Sequence, residues 1–373
     1  MISLKQKQIL KTGMENKKES PEYVRLSLAA AMTLGYTPGE FYRDAKLYCI
    51  NLLMTYENGC KARCSYCGLS RARLGEYEEK SFIRVDWPIF PLHDVIYRAA
   101  KLCNAKRICV SMITHPKAPE GLITIVKKIS ENTNIPISAL VTATLIKEKE
   151  MVKLKDAGTD IIGIAIDCAT EELFERHRGK FVKGPHSWKR YWDAMDKAVK
   201  IFGKYKVSVH FVVGLGESEK DMIQTIQKTH DIGGLTHLFS FFPEENSPLA
   251  KHPQPPLGQY RRIQIARYLI DNDLTNFEKM KFNSKGQLID FGIPAEMLEK
   301  VVSDGEAFMT SGCPAEDGSL ACNRPFANET PIQAAIGEWR NYPFKPCNED
   351  IALIKKQIWD YSEIYVPKDI ITV

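Results

Sequence analysis

Cys60, Cys64 and Cys67 stand in the run Asn58-Gly-Cys-Lys-Ala-Arg-Cys-Ser-Tyr-Cys-Gly68, a C-x3-C-x2-C loop. Three thiolates this close can hold three irons of a [4Fe–4S] cluster and leave the fourth iron without a protein ligand. An open iron suits catalysis, because a small molecule can chelate it. Zinc is the competing reading, but structural zinc wants four protein ligands, usually as two separated Cys/His pairs. No fourth Cys or His lies just downstream of Cys67. A set of incidental thiols is the third reading.

A second group of cysteines lies near the C-terminus, in Thr310-Ser-Gly-Cys-Pro-Ala-Glu-Asp-Gly-Ser-Leu-Ala-Cys-Asn-Arg-Pro325. Cys313 and Cys322 are surrounded by Gly and Pro, where a thiol has little core to pack into. A second Fe–S cluster, zinc or buried thiols are the open readings. Cys347 is the candidate third ligand, Cys49 its competitor, and Ser311 or Ser319 can supply an oxygen donor. Cys103 reads as core; Cys109 sits on a strand and can point inward.

Short β-branched runs at 46–56, 107–113, 137–143, 161–167, 207–213, 237–242 and 277–282 alternate with helical stretches such as 148–157, 187–202, 218–232 and 257–272. Seven βα-like units in a row argue for a parallel sheet with helices outside, since parallel strands need crossovers. Residues 306–310 offer an eighth strand. Either a closed (βα)8 barrel or an open six-stranded one follows, with ligands at the C-terminal ends of the strands. The Cys60 loop follows the first strand, so it falls on that face, and an eighth strand would bring Cys313 to the same mouth. Residues 20–35 read as a helix capped by Ser20 with Pro21 at its first position. The expected division is a helical extension over 1–45, a barrel over 46–295 and a cysteine-containing extension over 296–373.

Val213-Gly-Leu-Gly-Glu-Ser218 ends a strand and opens a helix. Its glycines let a backbone approach a ligand, and the helix start offers unpaired amides; a plain strand-to-helix turn explains the same residues. Asp167, at another strand end, can accept from ribose hydroxyls or cap the helix ahead of Glu171. Ser111, Thr142 and Thr144 are candidate cavity residues. His210 reads as a core histidine, and Phe239 to Phe242 as barrel interior or wall.

With 373 residues, 44% apolar and 26% charged, the chain has the composition of a globular enzyme. A formal charge of +5 without a dense Lys/Arg stripe argues against nucleic acid. The polar, Lys-rich start, residues 1–18, is no secretory signal, and no apolar run approaches a membrane span. A cytoplasmic protein whose ten cysteines bind metal, catalyse or pack is the expectation.

The Cys60–Cys67 loop resembles the signature of the radical S-adenosylmethionine (SAM) superfamily. Gly214-Leu-Gly-Glu217 and Asp167 resemble motifs of its biotin-synthase-like members. The resemblance implies an α/β fold with a parallel TIM-type barrel, complete or partial. It also implies a [4Fe–4S] cluster on Cys60, Cys64 and Cys67. SAM would be held near Tyr66, Ser111, Thr142, Asp167, Gly214, Gly216 and Glu217. Biotin synthase builds a second cluster from inner-strand cysteines and an arginine. Cys109 can match one of these, but the third strand carries Ala139-Leu-Val-Thr142 and Ser208 replaces a further cysteine.

The pattern around Cys313, Cys322 and Arg324, with Asn328-Glu-Thr-Pro331, resembles the C-terminal signature of the archaeal-type, two-component lipoyl synthases, although the two cysteines lie farther apart here. That resemblance implies sulfur insertion into an octanoyl chain on a lipoyl-domain or H protein. An auxiliary [4Fe–4S] cluster would be the sulfur source, a second lipoyl synthase component a partner, and ferredoxin or flavodoxin the electron donor. Arg324 would position the cluster or the octanoyl amide, or anchor its loop. The alternatives are another auxiliary-cluster radical enzyme acting on a small metabolite, and a non-catalytic Fe–S assembly protein.

Overall fold

The computed structural model describes residues 17–325, residue 332 and residues 339–362. Its main sheet has eight strands: β1 (Tyr23–Leu26), β2 (Cys49–Met54), β3 (Ile89–Pro91), β4 (Arg107–Ser111), β5 (Ile137–Val141), β6 (Thr159–Asp167), β7 (Val207–Val213) and β8 (Leu235–Ser240). The spatial order is β3-β1-β2-β4-β5-β6-β7-β8. The six strands from β2 to β8 in that order are parallel, each paired to the next. This is the open six-stranded alternative; β8 does not pair with β2 among the described residues.

Residues on one strand alternate between the two sheet faces, and the alternation here divides by chemistry. Ile50, Leu52, Ile108, Val110, Ile162, Ile164, Val207 and Val209 are buried beneath the helices. The other face carries Cys49, Asn51, Cys109, Ser111, Ser138, Asp167, Ser208 and His210, an unusual set for a barrel interior, which bulky branched residues normally fill. The polar lining marks the interior as the functional face.

Three expected elements take other forms. Residues 20–35 are not one helix: β1 pairs antiparallel with β2, and the helix Leu28–Thr33 begins only after it. Ser20 Oγ accepts from the Thr55 amide at 3.0 Å, while Ser27 is the actual cap, accepting from Ala30 N at 3.1 Å. The run at 277–282 becomes a 3-10 turn, Phe277–Lys279, and a two-residue strand pairing with Leu288–Asp290 in a separate hairpin. The expected eighth strand is a 3-10 turn, Glu306–Phe308, followed by a single parallel bridge from Met309 to Tyr342. Among the described residues no helix is long and apolar enough to cross a membrane.

Candidate active site: a thiol-lined cavity and a buried four-thiol group

The C-terminal ends of the parallel strands open into a cavity lined by Cys60, Cys64, Cys67, Tyr66, Ser111, Thr142 and Asp167, among others. The cysteine loop is tied down by its backbone: Lys61 N donates to Thr114 O at 2.7 Å, Ser65 N to His177 O at 2.9 Å, and Arg71 N to Ala62 O at 2.9 Å. A Cβ on Gly68 would lie 2.4 Å from Ser81 O, so only glycine lets the next turn close over the thiols. Glu244 holds that turn, accepting from Ser81 Oγ at 3.1 Å and Arg84 N at 2.8 Å.

Burial pushes the Cys64 thiol up to about 11 and Cys67 well above its ordinary value, with the neighbouring Cys60 adding to each. Bound metal ions reverse such shifts by displacing the proton. The cavity therefore offers three convergent thiols that a metal centre would ionise.

Tyr66 donates to Asp167 Oδ2 at 2.5 Å, and Arg178 Nη1 lies 3.1 Å from the same oxygen. Arg178 is buried, donates to Ile166 O at 2.8 Å, and stacks between Phe174 and Tyr191. Thr142 bonds the Tyr191 hydroxyl at 2.8 Å, and Thr144 turns away to His186 Nδ1 at 2.6 Å. Asp167 adopts φ +65°, ending β6 so that its carboxylate faces the cavity rather than a helix start. The cap belongs to Thr170, which accepts from Leu173 N.

Gly214, Gly216 and Glu217, expected at the cofactor, line a separate depression with His252 and Pro255. Glu217 folds back on its own turn, accepting from Gly214 N at 2.6 Å and Leu215 N at 2.9 Å. The turn reaches the thiol loop indirectly. Leu215 O lies 2.9 Å from His177 Nε2, and His177 Nδ1 lies 2.8 Å from Ser65 Oγ. A carbonyl can only accept, so the proton sits on Nε2 and Nδ1 accepts from Ser65.

That bridge needs a neutral imidazole, and burial lowers His177 from 6.5 to about 4. A depressed base contributes stability above its unfolded value and loses it as pH falls from about 6.5 to 4. The loss is on the order of 3 kcal/mol. Glu217, which burial raises to about 7, has the opposite sign. In urea unfolding, the stability gap between wild type and His177→Gln is therefore expected to shrink by that order between pH 7 and pH 4. A gap independent of pH would remove this role from His177.

The second thiol group lies at the other end of the interior. Cys49, Cys109, Cys313 and Cys322 pack together with Ile161 and are all buried. Cys49 opens β2, whose far end, roughly 16 Å away, feeds the Cys60 loop. The expectation that Cys313 shares the mouth is thus corrected. With no eighth strand, residues 311–324 instead plug the gap between β8 and β2. Leu238 N of β8 donates to Ser311 Oγ at 2.8 Å, and Tyr48 N, just before β2, donates to Asn323 Oδ1 at 3.2 Å. Arg107 clamps the plug through Pro314 O at 2.7 Å. A Cβ on Gly312 would lie 2.2 Å from Cys322 O.

Cys49 hydrogen-bonds Cys109 and Cys322, which raises its own thiol and lowers theirs. Arg324 adds to the lowering of Cys322 by charge and by a hydrogen bond. Burial pushes Cys313 up to about 12. Arg324 also lines the cavity, so it stands between the two ends. His210 joins it there, 5.4 Å from His237; burial lowers both, His237 to about 3, with Arg324 adding to each.

Cys347 is elsewhere. It sits at the cap of the helix Asn348–Ile358, its amide donating to Asp350 at 2.9 Å beside Arg43. The two proposed oxygen donors are engaged, Ser311 with Leu238 N and Ser319 with Asp317 and Lys106. Cys103 is half-buried against Ala99 O. Asn328 to Pro331 lie outside the described residues. Among the described residues no three His, Cys, Asp or Glu side chains form a ready shell for a single ion. A cluster brings its own inorganic sulfide and needs terminal thiolates within reach, and the cavity mouth and the buried four-thiol group each supply thiols for this.

Residues 54–229 match the radical SAM superfamily. The chain is 24% identical to a biotin synthase of Bordetella avium over 61% of this chain and 68% of that one. It is 24% identical to a biotin synthase of Prochlorococcus marinus over 90% of this chain and 95% of that one. Residues 54–229 thus carry a radical SAM domain, and the chain is similar to biotin synthases. Other biotin synthases align over less, with one from Rickettsia felis at 26% identity over 54% of its length. Among solved structures, HydG, a maturase of the [FeFe]-hydrogenase, covers 89% of this chain and is covered over 81% of its own, at 13% identity and a TM-score of 0.49. Radical SAM enzymes use a [4Fe–4S] cluster with SAM, and the three convergent thiols of the mouth fit that cluster.

Proposed function

We propose that this radical SAM enzyme inserts sulfur into an octanoyl chain carried by a lipoyl-domain or H protein. Cys60, Cys64 and Cys67 hold the SAM-binding cluster, and Cys49, Cys109, Cys313 and Cys322 hold the auxiliary cluster. The observation carrying this reading is the four-thiol floor beneath the cavity whose mouth carries the other three thiols.

When bound, the two clusters and SAM supply a 5′-deoxyadenosyl radical, which takes hydrogen from an unactivated carbon, and a sulfide that joins that carbon. The chain's own part is placement. Asp167, oriented by Tyr66 and Arg178, offers a carboxylate to the ribose hydroxyls. Ser111 and Thr142 line the same wall. Leu53, Met112, Leu140, Val212 and Phe239 give an alkyl chain an apolar path between the two ends. Arg324 holds the auxiliary thiolates by charge, and the 311–324 plug keeps water from the floor.

The floor differs from the inner-strand arrangement of biotin synthase in drawing two thiols from the C-terminal plug, with Ser138 and Ser208 on the strands instead. That difference favours the lipoyl synthase resemblance over biotin formation.

The test is incubation of reconstituted, reduced protein with SAM and an octanoylated H protein, with a second lipoyl synthase component added in a parallel arm. A mass gain of one or two sulfurs on the carrier is expected. Formation of 5′-deoxyadenosine with no sulfur on the carrier in either arm would overturn the substrate assignment.

A further inference from the structure

Asn51 is the one carboxamide of β2, in the run Cys49-Ile-Asn-Leu-Leu-Met54, every residue of which is buried. Residues two apart on a strand share a face, so Asn51 faces the same way as Cys49. The parallel register sets it beside Cys109 of β4. It is 3% exposed, and it borders a narrow recess with Ser27, Trp87 and Arg324 rather than the main cavity.

The side-chain nitrogen of Asn51 ends on sulfur twice. Asn51 Nδ2 donates to Cys49 Sγ at 3.6 Å and to Cys322 Sγ at 4.0 Å, and these are its side-chain hydrogen bonds among the described residues. An amide NH2 carries two hydrogens, one for each thiol. The two acceptors come from separate parts of the chain, one from β2 and one from the 311–324 plug. A neutral thiol is a weak acceptor, so it compensates poorly for burying the amide. An ionised sulfur is a much better one. Cluster binding ionises the thiols that hold it, which turns two weak bonds into two charge-assisted ones.

We propose that Asn51 tunes the auxiliary cluster, donating two N–H···S hydrogen bonds to its terminal sulfurs and so raising its reduction potential. Hydrogen bonds to the sulfurs draw negative charge off a cluster and favour its reduced form. Asn51 does this as a neutral donor, whereas the neighbouring Arg324 acts by charge as well. Because Asn51 lines neither the cavity nor the Cys60 loop, it is a positioning residue that acts through Cys49 and Cys322. The inference rests on the four buried thiols holding a cluster and does not depend on the octanoyl substrate.

The test compares wild type with Asn51→Leu, which keeps most of the volume and has no donor. Asn51→Val, a smaller strand former without a donor, repeats the measurement where leucine overfills the site. The reconstituted protein is titrated with dithionite, which supplies one electron to each cluster, and both clusters are followed by electron paramagnetic resonance. The signal that responds to added SAM is the one at Cys60, Cys64 and Cys67, which tells the two apart. At a fixed ambient potential, the reduced-to-oxidised ratio of the auxiliary cluster is expected to fall about tenfold in the variants, equivalent to about 59 mV for one electron. Iron stays at ~8 per chain, and the mouth cluster titrates as in wild type. An unchanged auxiliary potential, or an equal shift in both clusters, would overturn the proposal. So would the loss of about four irons per chain, because Asn51 would then serve only to assemble the thiols. Wild type with ~4 irons and no second signal would overturn the reading of the four thiols themselves, and this inference with it.

Discussion

Replacing Cys322 with alanine is expected to take the reconstituted protein from ~8 irons per chain to ~4 and to end sulfur insertion while SAM cleavage continues. The separation follows from the two-ended geometry. Cys322 lies among Cys49, Cys109 and Cys313, at the end of β2 opposite the Cys60 loop, and its loss leaves that loop untouched. It also takes from the buried Arg324 its hydrogen-bonded thiolate, leaving only Cys109 and Cys49 to face its charge. Cys49→Ala should behave alike, since Cys49 bonds both Cys109 and Cys322. Cys347→Ala is the contrasting variant, because its thiol belongs to a helix cap far from both groups; iron content and activity should match wild type. Iron counting, electron paramagnetic resonance and product analysis read all three. A Cys347 variant that loses four irons, or a Cys322 variant that keeps all eight, would contradict the assignment.

The second large effect is at Arg178. Its guanidinium serves Asp167, two backbone carbonyls of β6 and the faces of Phe174 and Tyr191 within a buried setting. Removing one partner of a buried ion pair strands the other, which costs about 3–5 kcal/mol. Arg178→Met keeps much of the volume while stranding Asp167 and releasing Tyr66 from its fixed geometry. The expected result is lower stability by that order and weaker SAM binding, measured by chemical unfolding and by calorimetry. Arg178→Lys restores the charge but not the forked geometry, so it should recover part of the stability and little of the binding. If Arg178→Met binds SAM as wild type does, Asp167 is not oriented through Arg178.

Much of this was legible in the sequence because strand periodicity and a three-cysteine loop are local signals. The alternation Val-Ser-Val-His-Phe-Val-Val in β7 separates an apolar face from a polar one within seven residues. The Cys60 loop likewise carries its spacing in eight residues. What escaped was non-local. Cys49 reads as the competitor of Cys347 for the third ligand and Cys109 as a strand thiol able to point inward, but neither is tied to the other or to Cys322. Only the parallel register, which sets Asn51 beside Cys109, together with a plug from residues 311–324, makes them neighbours of Cys322. His177 ends the helix Glu171–His177 and Arg178 caps it, with no motif of their own, and they matter through the loop ends they hold. Residues 306–310 misled because their apolar content suits a strand, yet no edge receives them: Thr310 bonds Tyr342 instead, and the plug takes the gap between β8 and β2. Glu217 misled in another way, since a carboxylate after Gly-Leu-Gly can close its own turn as well as face a ligand.

The most direct test of the central claim is to rebuild both clusters with heavy-isotope sulfide and follow the label into the product. Labelled sulfur in the octanoyl chain is expected from wild type and none from Cys322→Ala, with 5′-deoxyadenosine formed by both. Product carrying only unlabelled sulfur, or label appearing equally with the Cys322 variant, would contradict it.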